Sequence, residues 1–273
     1  MTYFGFLLLF LVVPIGLLLI LMVRDRQRRK IAAGFLDERS FWLALGLHVL
    51  LAIVYTTPWD NYLVATRVWY YNPNLISGVV LGWVPLEEYI FFVLETVLVG
   101  LWWLLLVRRV KPSGEFRPRR KIRIVSTAVL AAIWLSTVGV LISGWKPGTY
   151  LSVILVWALP AIMLQLAFGA DILWHFRKII IFAILPVFLY ISTADALAIS
   201  SGTWAIDPDQ SLRIWIWALP VEEAAFFLVT ATIIGFGLTL SLAHASLKRW
   251  LAWADRYFRI NLRISTSKSP VEE

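Results

Sequence analysis

The chain is 273 residues long, 60% hydrophobic and 15% charged, with a mean hydropathy of +0.78 and a formal net charge of +8. That balance excludes an ordinary soluble globular protein, and the positive charge does not indicate nucleic acid, because the basic residues are concentrated between apolar runs. The absence of cysteine removes disulfides, thiolate metal sites and cysteine nucleophiles together.

A hydrocarbon core roughly 30 Å thick requires about 20 apolar residues of a crossing helix. Seven such runs are predicted, at 3–23, 40–57, 79–107, 124–143, 149–168, 179–199 and 212–240. The expected fold is an all-α membrane protein. The first run is read as a span and not as a secretory signal, since no basic segment precedes it and Arg24–Lys30 follows it. Five basic residues lie in Arg24–Lys30, eight in Arg108–Arg123, and others in His175–Lys178 and Lys248–Arg263, that is, in alternate connections and the tail. The positive-inside rule then predicts an N-terminus outside and a C-terminus in the cytoplasm of a cell-membrane protein. Ala245–Arg263 mixes tryptophan and leucine with lysine and arginine and reads as an interfacial helix.

Laid on itself with Asp60 over Asp195, a shift of 135, the chain also superposes Trp69 on Trp204, Pro73 on Pro208 and Pro85 on Pro220. The same shift brings Glu87 and Glu88 onto Glu222 and Glu223, and Phe91 and Phe92 onto Phe226 and Phe227. The expected organisation is a first three-span unit (1–110), a basic loop with a linker span (111–143), a second three-span unit (144–245) and a basic amphipathic tail (246–273). One linker span between the copies restores orientation, so they are expected to be parallel repeats about an axis along the membrane normal.

Acidic side chains inside a bilayer cost roughly 2.5–3.5 kcal/mol each on insertion scales, so paired glutamates in two spans call for a function. Pro85 and Pro220 place them near helix starts, where the dipole favours an anion. Burial and mutual repulsion oppose ionisation, so a pair can hold one neutral acid beside one carboxylate, as proton donation and removal require. Glu87 and Glu222 are the expected principal acid and base, with Glu88 and Glu223 supporting them; which copy donates is not readable. The competing reading makes all four a helix-packing device.

Asp60, Asn61 and Asp195 end spans on the same side and are expected either to hydrogen-bond the glutamates or to be solvated helix ends. Phe91, Phe92, Phe226 and Phe227 follow the glutamates by one turn and are expected to wall a cavity suited to a cation, or simply to pack. Trp59, Trp83, Trp215 and Trp217 read as interfacial anchors, whereas Trp69 and Trp204 stand out because they repeat. Glu95 has only Thr230 as counterpart and is expected to break the symmetry of the site, while His48 reads as a packed histidine. No aspartate-rich diphosphate motif, no lysine in 212–240 and no Gly-x-Gly-x-x-Gly unit occurs, which argues against a prenyltransferase, a retinal protein and a flavin enzyme.

Pro85-Leu86-Glu87-Glu88-Tyr89-Ile90-Phe91-Phe92 and Pro220-Val221-Glu222-Glu223-Ala224-Ala225-Phe226-Phe227 resemble the lycopene cyclase domain, in a form that looks like the fused two-repeat enzymes. The second copy departs from the first in carrying Ala196 where Asn61 stands. The resemblance implies conversion of linear lycopene ends to β-ionone rings with no cofactor, no metal and no net redox change. It also implies a carotenoid substrate drawn from the lipid membrane, with other carotenoid-pathway enzymes or a second copy of the chain as further partners. Alternatives are another acid-driven carotenoid reaction, such as end-group hydration or cyclisation of a C50 carotenoid, and a parallel-repeat small-solute transporter.

Overall fold

The computed structural model describes residues 1–26, 31–110 and 114–258; Arg28, Arg29, Lys30, Lys111 and the tail from Arg259 through Arg263 to Glu273 lie outside the described residues. Among the described residues seven helices are long and apolar enough to cross a membrane: α1 (Tyr3–Asp25), α2 (Glu38–Ala65), α3 (Leu86–Arg109), α4 (Arg120–Ile142), α5 (Lys146–His175), α6 (Arg177–Ser200) and α7 (Val221–Leu242). The fold is all-α, as the hydropathy predicts. An amphipathic helix, α8 (His244–Phe258), follows α7, and its Arg249 forms a two-pronged ion pair with buried Asp171 of α5.

Where the observed helices depart from the predicted spans, the backbone gives the reason. Residues 79–85 and 212–220 are as apolar as a span but are not helical; they hold two-stranded hairpins, β2 (Val80–Leu81) with β3 (Val84–Pro85), and β5 (Trp215–Ile216) with β6 (Leu219–Pro220). Pro85 and Pro220, in extended conformation, then cap the helices that follow. α2 runs through Pro58 to Ala65 instead of stopping before the proline, and α5 continues past a kink at Gly169. Membrane helices tolerate such breaks where neighbours and side chains satisfy the freed carbonyls.

α3 and α7, the helices that carry the doubled motif, form the centre; about 72% and 67% of their most apolar stretches are buried, against none of α4, which lies along α5 at the edge. Outside the helices the two loops meet. β1 (Trp69–Tyr71) pairs antiparallel with β4 (Trp204–Ile206), with Trp69 opposite Ile206 and Tyr71 opposite Trp204. Bonds flanking this ribbon run in matched pairs: Asn72 N–H to Thr203 carbonyl at 3.0 Å, and Asp207 N–H to Val68 carbonyl at 2.8 Å. Each loop therefore delivers its side chains against the other half of the protein.

Candidate active site

Beneath this ribbon lies a chamber of about 40 Å³, into which α3 contributes Glu88 and Phe91, and α7 contributes Glu223, Phe226 and Phe227. Tyr3, Trp69, Tyr71, Asp195 and Trp204 complete its wall. All four motif glutamates are buried, but adjacent residues on a helix point about 100° apart, and they divide accordingly. Glu88 and Glu223 face the chamber. Glu87 and Glu222 turn toward the loops, where Glu87 Oε1 accepts the backbone N–H of Ser77 and Glu222 Oε1 accepts that of Leu212 at 2.6 Å. Ser77 and Leu212 are themselves 135 residues apart, so each outer glutamate pins the same point of its own loop.

Tyrosine hydroxyls bind the inner glutamates. Glu88 Oε2 accepts from Tyr3 and, at 2.8 Å, from Tyr71, whose own oxygen accepts the indole N–H of Trp69 at 3.0 Å. Glu223 Oε1 accepts from Tyr150 at 2.7 Å. Tyr71 stands outside the spans, and burial together with the charge of Glu88 pushes its hydroxyl well above its usual value, so it remains a donor. The indole N–H of Trp204 donates to Asp195 at 3.0 Å, whereas the fully buried Asp60 has no hydrogen-bond partner on either oxygen among the described residues. The described ion pairs join Arg108 to Glu38, Arg109 to Asp25, Arg213 to Asp209 and Arg249 to Asp171, and none involves an acid of the chamber.

Among the described residues the hydrogen bonds of Asn61 go to groups other than the glutamates. Its amide donates to the Thr57 carbonyl and the Tyr89 hydroxyl, and its oxygen accepts the N–H of Trp83, so it braces the β2–β3 turn. A side chain on Gly82, which has a φ of +70°, would collide with that amide; in the second copy Ala196 stands in the place of Asn61 and the exposed Trp217, with a φ of +60°, in that of Gly82. Glu95 lines a separate groove, together with Phe92, His48 and Thr230, and accepts the Thr230 hydroxyl at 2.9 Å. His48 itself is tied to the Ala44 carbonyl at 2.7 Å. Trp83, Trp215 and Trp217 are exposed, but Trp59 is buried and stacks on Phe226 at 5.4 Å, extending the aromatic wall.

Tyr3, Tyr71 and Tyr150 carry no weight in the sequence reading, yet they complete the site. The signal for two of them is a duplicated Thr-Tyr: Thr2-Tyr3 matches Thr149-Tyr150 at a shift of 147, not 135. The larger shift arises because the connection from α1 to α2 is long, whereas α5 turns into α6 at Phe176. Within α1, the π-helical stretch Leu8–Val12 accommodates one extra residue, so that beyond it Pro14 matches Pro160 and Asp25 matches Asp171 at a shift of 146. Equivalence is visible in the contacts: Tyr3 N–H donates to the Leu75 carbonyl at 2.8 Å and Tyr150 N–H to the Gln210 carbonyl at 3.0 Å. Each of these tyrosines also packs on the other half's tryptophan, Tyr3 on Trp204 at 4.9 Å and Tyr150 on Trp69 at 5.5 Å.

Residues 1–106 and 147–257 match the model of a family described as Lycopene cyclase, and the unmatched stretch between them contains α4. The Lycopene beta-cyclase of Halobacterium salinarum (strain R1) is 36% identical over 209 residues, which cover 77% of this chain and 86% of that protein. The Bifunctional lycopene cyclase/phytoene synthases of Podospora anserina and Aspergillus oryzae are 32% and 30% identical; the matches cover 74% and 84% of this chain but 36% and 41% of those longer proteins. No solved structure matches the chain.

Proposed function

The chain belongs to the lycopene cyclase family, and we propose that it closes the linear ends of lycopene into β-ionone rings, working as an integral membrane protein with its N-terminus outside and its C-terminus in the cytoplasm. The orientation is supported by the basic connections, and the substrate class by the Halobacterium relative. The observation that carries the chemistry is the placing of Glu88 and Glu223 on one aromatic-walled chamber, bound by hydroxyls and unpaired with any basic side chain of the described residues.

In this reading Glu223, which has a single hydroxyl donor, holds the proton, and Glu88, which accepts two, is the carboxylate. Glu223 adds its proton to C2 of the terminal C1=C2 bond, leaving a tertiary cation at C1. The C5=C6 electrons attack C1, forming the C1–C6 bond and moving the cation to C5. Glu88 removes the C6 proton, and its electrons restore C5=C6. Atoms and electrons balance without an oxidant, and one proton transfer from Glu88 back to Glu223 resets the pair. Phe91, Phe226, Phe227, Trp69 and Trp204 line the chamber, and a ring whose face meets the cation attracts it by about 2 kcal/mol in a dry site. Glu87 and Glu222 hold the loops that roof the chamber.

The test is pigment extraction from a lycopene-producing cell that carries the chain. Glu88→Gln and Glu223→Gln are each expected to leave lycopene as the main pigment, a loss of about 10²–10⁴ in rate. Ring formation at the unsubstituted level by either variant overturns the assignment.

A further inference from the structure

Two lateral grooves lie at span depth between the halves of the protein, and they are built from equivalent residues. One, of about 460 Å³, runs between α2 and α5 and includes Leu51, Tyr55, Pro160 and Leu164; the other, of about 280 Å³, runs between α1 and α6 and includes Pro186, Tyr190, Pro14 and Leu18 in the matching places. Even the tyrosines behave alike, Tyr55 donating to the Trp157 carbonyl at 2.7 Å and Tyr190 to the Phe10 carbonyl at 3.1 Å.

They differ in two respects. The larger groove ends on Phe226, which is also a wall of the acid chamber, whereas the smaller one shares no residue with that chamber. The smaller is also narrowed by Trp102, which lines it and is held by its indole N–H to the Phe182 carbonyl at 2.8 Å. At the position 135 residues later stands Gly237, and any side chain there would run into His48 and Gln165, which line the larger groove.

We propose that the α2–α5 groove is the one port and seat for the polyene arm of the substrate, and that Trp102 closes its counterpart, so that a protein with twofold architecture operates as a one-port enzyme. This rests on the cyclase reading for the identity of the substrate, a long apolar polyene. The occupant follows from the lining: the groove is overwhelmingly apolar with aromatic faces at Phe92, Trp157 and Phe226, and a rigid conjugated chain presents no polar group to be left unpaired there. The wall it shares with the chamber supplies the geometry, since an arm lying in the groove brings its end to Phe226, on whose other side lie Glu223 and Glu88. The two ends of one lycopene molecule must then be closed in succession, with the chain reversing between them.

The test compares Gly237→Trp, which pushes the groove-lining His48 and Gln165 into the α2–α5 groove, and Ala161→Trp, which fills that groove directly, with Trp102→Gly, which widens the α1–α6 groove. Ring yield in lycopene-producing cells is normalised to the amount of protein in the membrane. Lycopene co-purifying with each detergent-solubilised protein is measured by its absorbance. Each filling variant is expected to lower ring yield by about ten-fold or more and to carry correspondingly less lycopene, with Trp102→Gly within about two-fold of the parent. Unchanged yield and unchanged co-purified lycopene in both filling variants overturns the proposal, as does a loss in Trp102→Gly equal to theirs. Should Gly237→Trp fail to accumulate, Ala161→Trp, on the more open wall, carries the comparison. If the unsubstituted chain forms no rings, the cyclase reading fails by itself, and the co-purification arm still decides whether this groove holds the polyene.

Discussion

Thr230 donates its hydroxyl to the Glu95 carboxylate at 2.9 Å, and the two residues occupy the same position in the two halves of the protein. α3 and α7 thus meet at equivalent points through unlike side chains, a bond that two identical glutamates would replace by repulsion. The asymmetry expected of Glu95 from the sequence is a contact between the copies.

Removing one partner leaves a buried group unpaired. Thr230→Val is expected to destabilise the detergent-solubilised protein by about 1–3 kcal/mol. A cycle with Glu95→Leu should show coupling of at least about 0.5 kcal/mol in thermal unfolding. Additive losses would mean that the hydrogen bond contributes nothing of its own.

The hydroxyls on the inner glutamates are not equivalent in number. Among the described residues Glu223 has the hydroxyl of Tyr150 as its one side-chain donor, whereas Glu88 keeps Tyr3 when Tyr71 is lost. Tyr150→Phe is therefore expected to reduce kcat/KM by about ten- to hundred-fold, the equivalent of about 1.4–2.8 kcal/mol. Tyr71→Phe is expected to cost less. Assays in proteoliposomes loaded with lycopene give the ranking, and the reverse order would remove Glu223 from the donor role.

Outer and inner glutamates should separate by substitution. A glutamine carbonyl still accepts the N–H of Ser77 or Leu212, so Glu87→Gln and Glu222→Gln are expected to retain membrane accumulation and most ring formation. Alanine at either position removes the acceptor of a buried N–H, at about 1–3 kcal/mol, and should lower accumulation and thermal stability. A loss of rings in Glu87→Gln as deep as in Glu88→Gln would return the outer pair to the chemistry.

Alkaline pH tests Tyr71. Because its proton is held more tightly in the folded protein than in the unfolded chain, its contribution to stability is whole below the usual tyrosine value of about 10 and declines as pH rises above it. Thermal unfolding of the parent is expected to be flat with respect to Tyr71 up to about pH 10 and to fall beyond, more steeply than in Tyr71→Phe. Parallel curves above that pH would show that Tyr71 does not titrate with unfolding.

The sequence by itself determined that seven segments are long and apolar enough to cross a membrane, and that acids and aromatics recur 135 residues apart. It could do so because the bilayer imposes a length and an apolarity on each span that few other solvents demand, and because charged residues are rare enough there to be counted one by one. Tertiary structure alone decided which member of each Glu-Glu pair faces the chamber, since neighbours on a helix diverge and only packing says which direction is inward. It also decided that 79–85 and 212–220 leave the helix for hairpins, because apolar residues accept either conformation and the proline cap settles the boundary. The tyrosines stayed hidden for a third reason. Tyr3 and Tyr150 reach equivalent carboxyls only after loops of unequal length have been closed, and Tyr71 reaches its own only where β1 pairs with β4, a contact between segments over a hundred residues apart that no local pattern records.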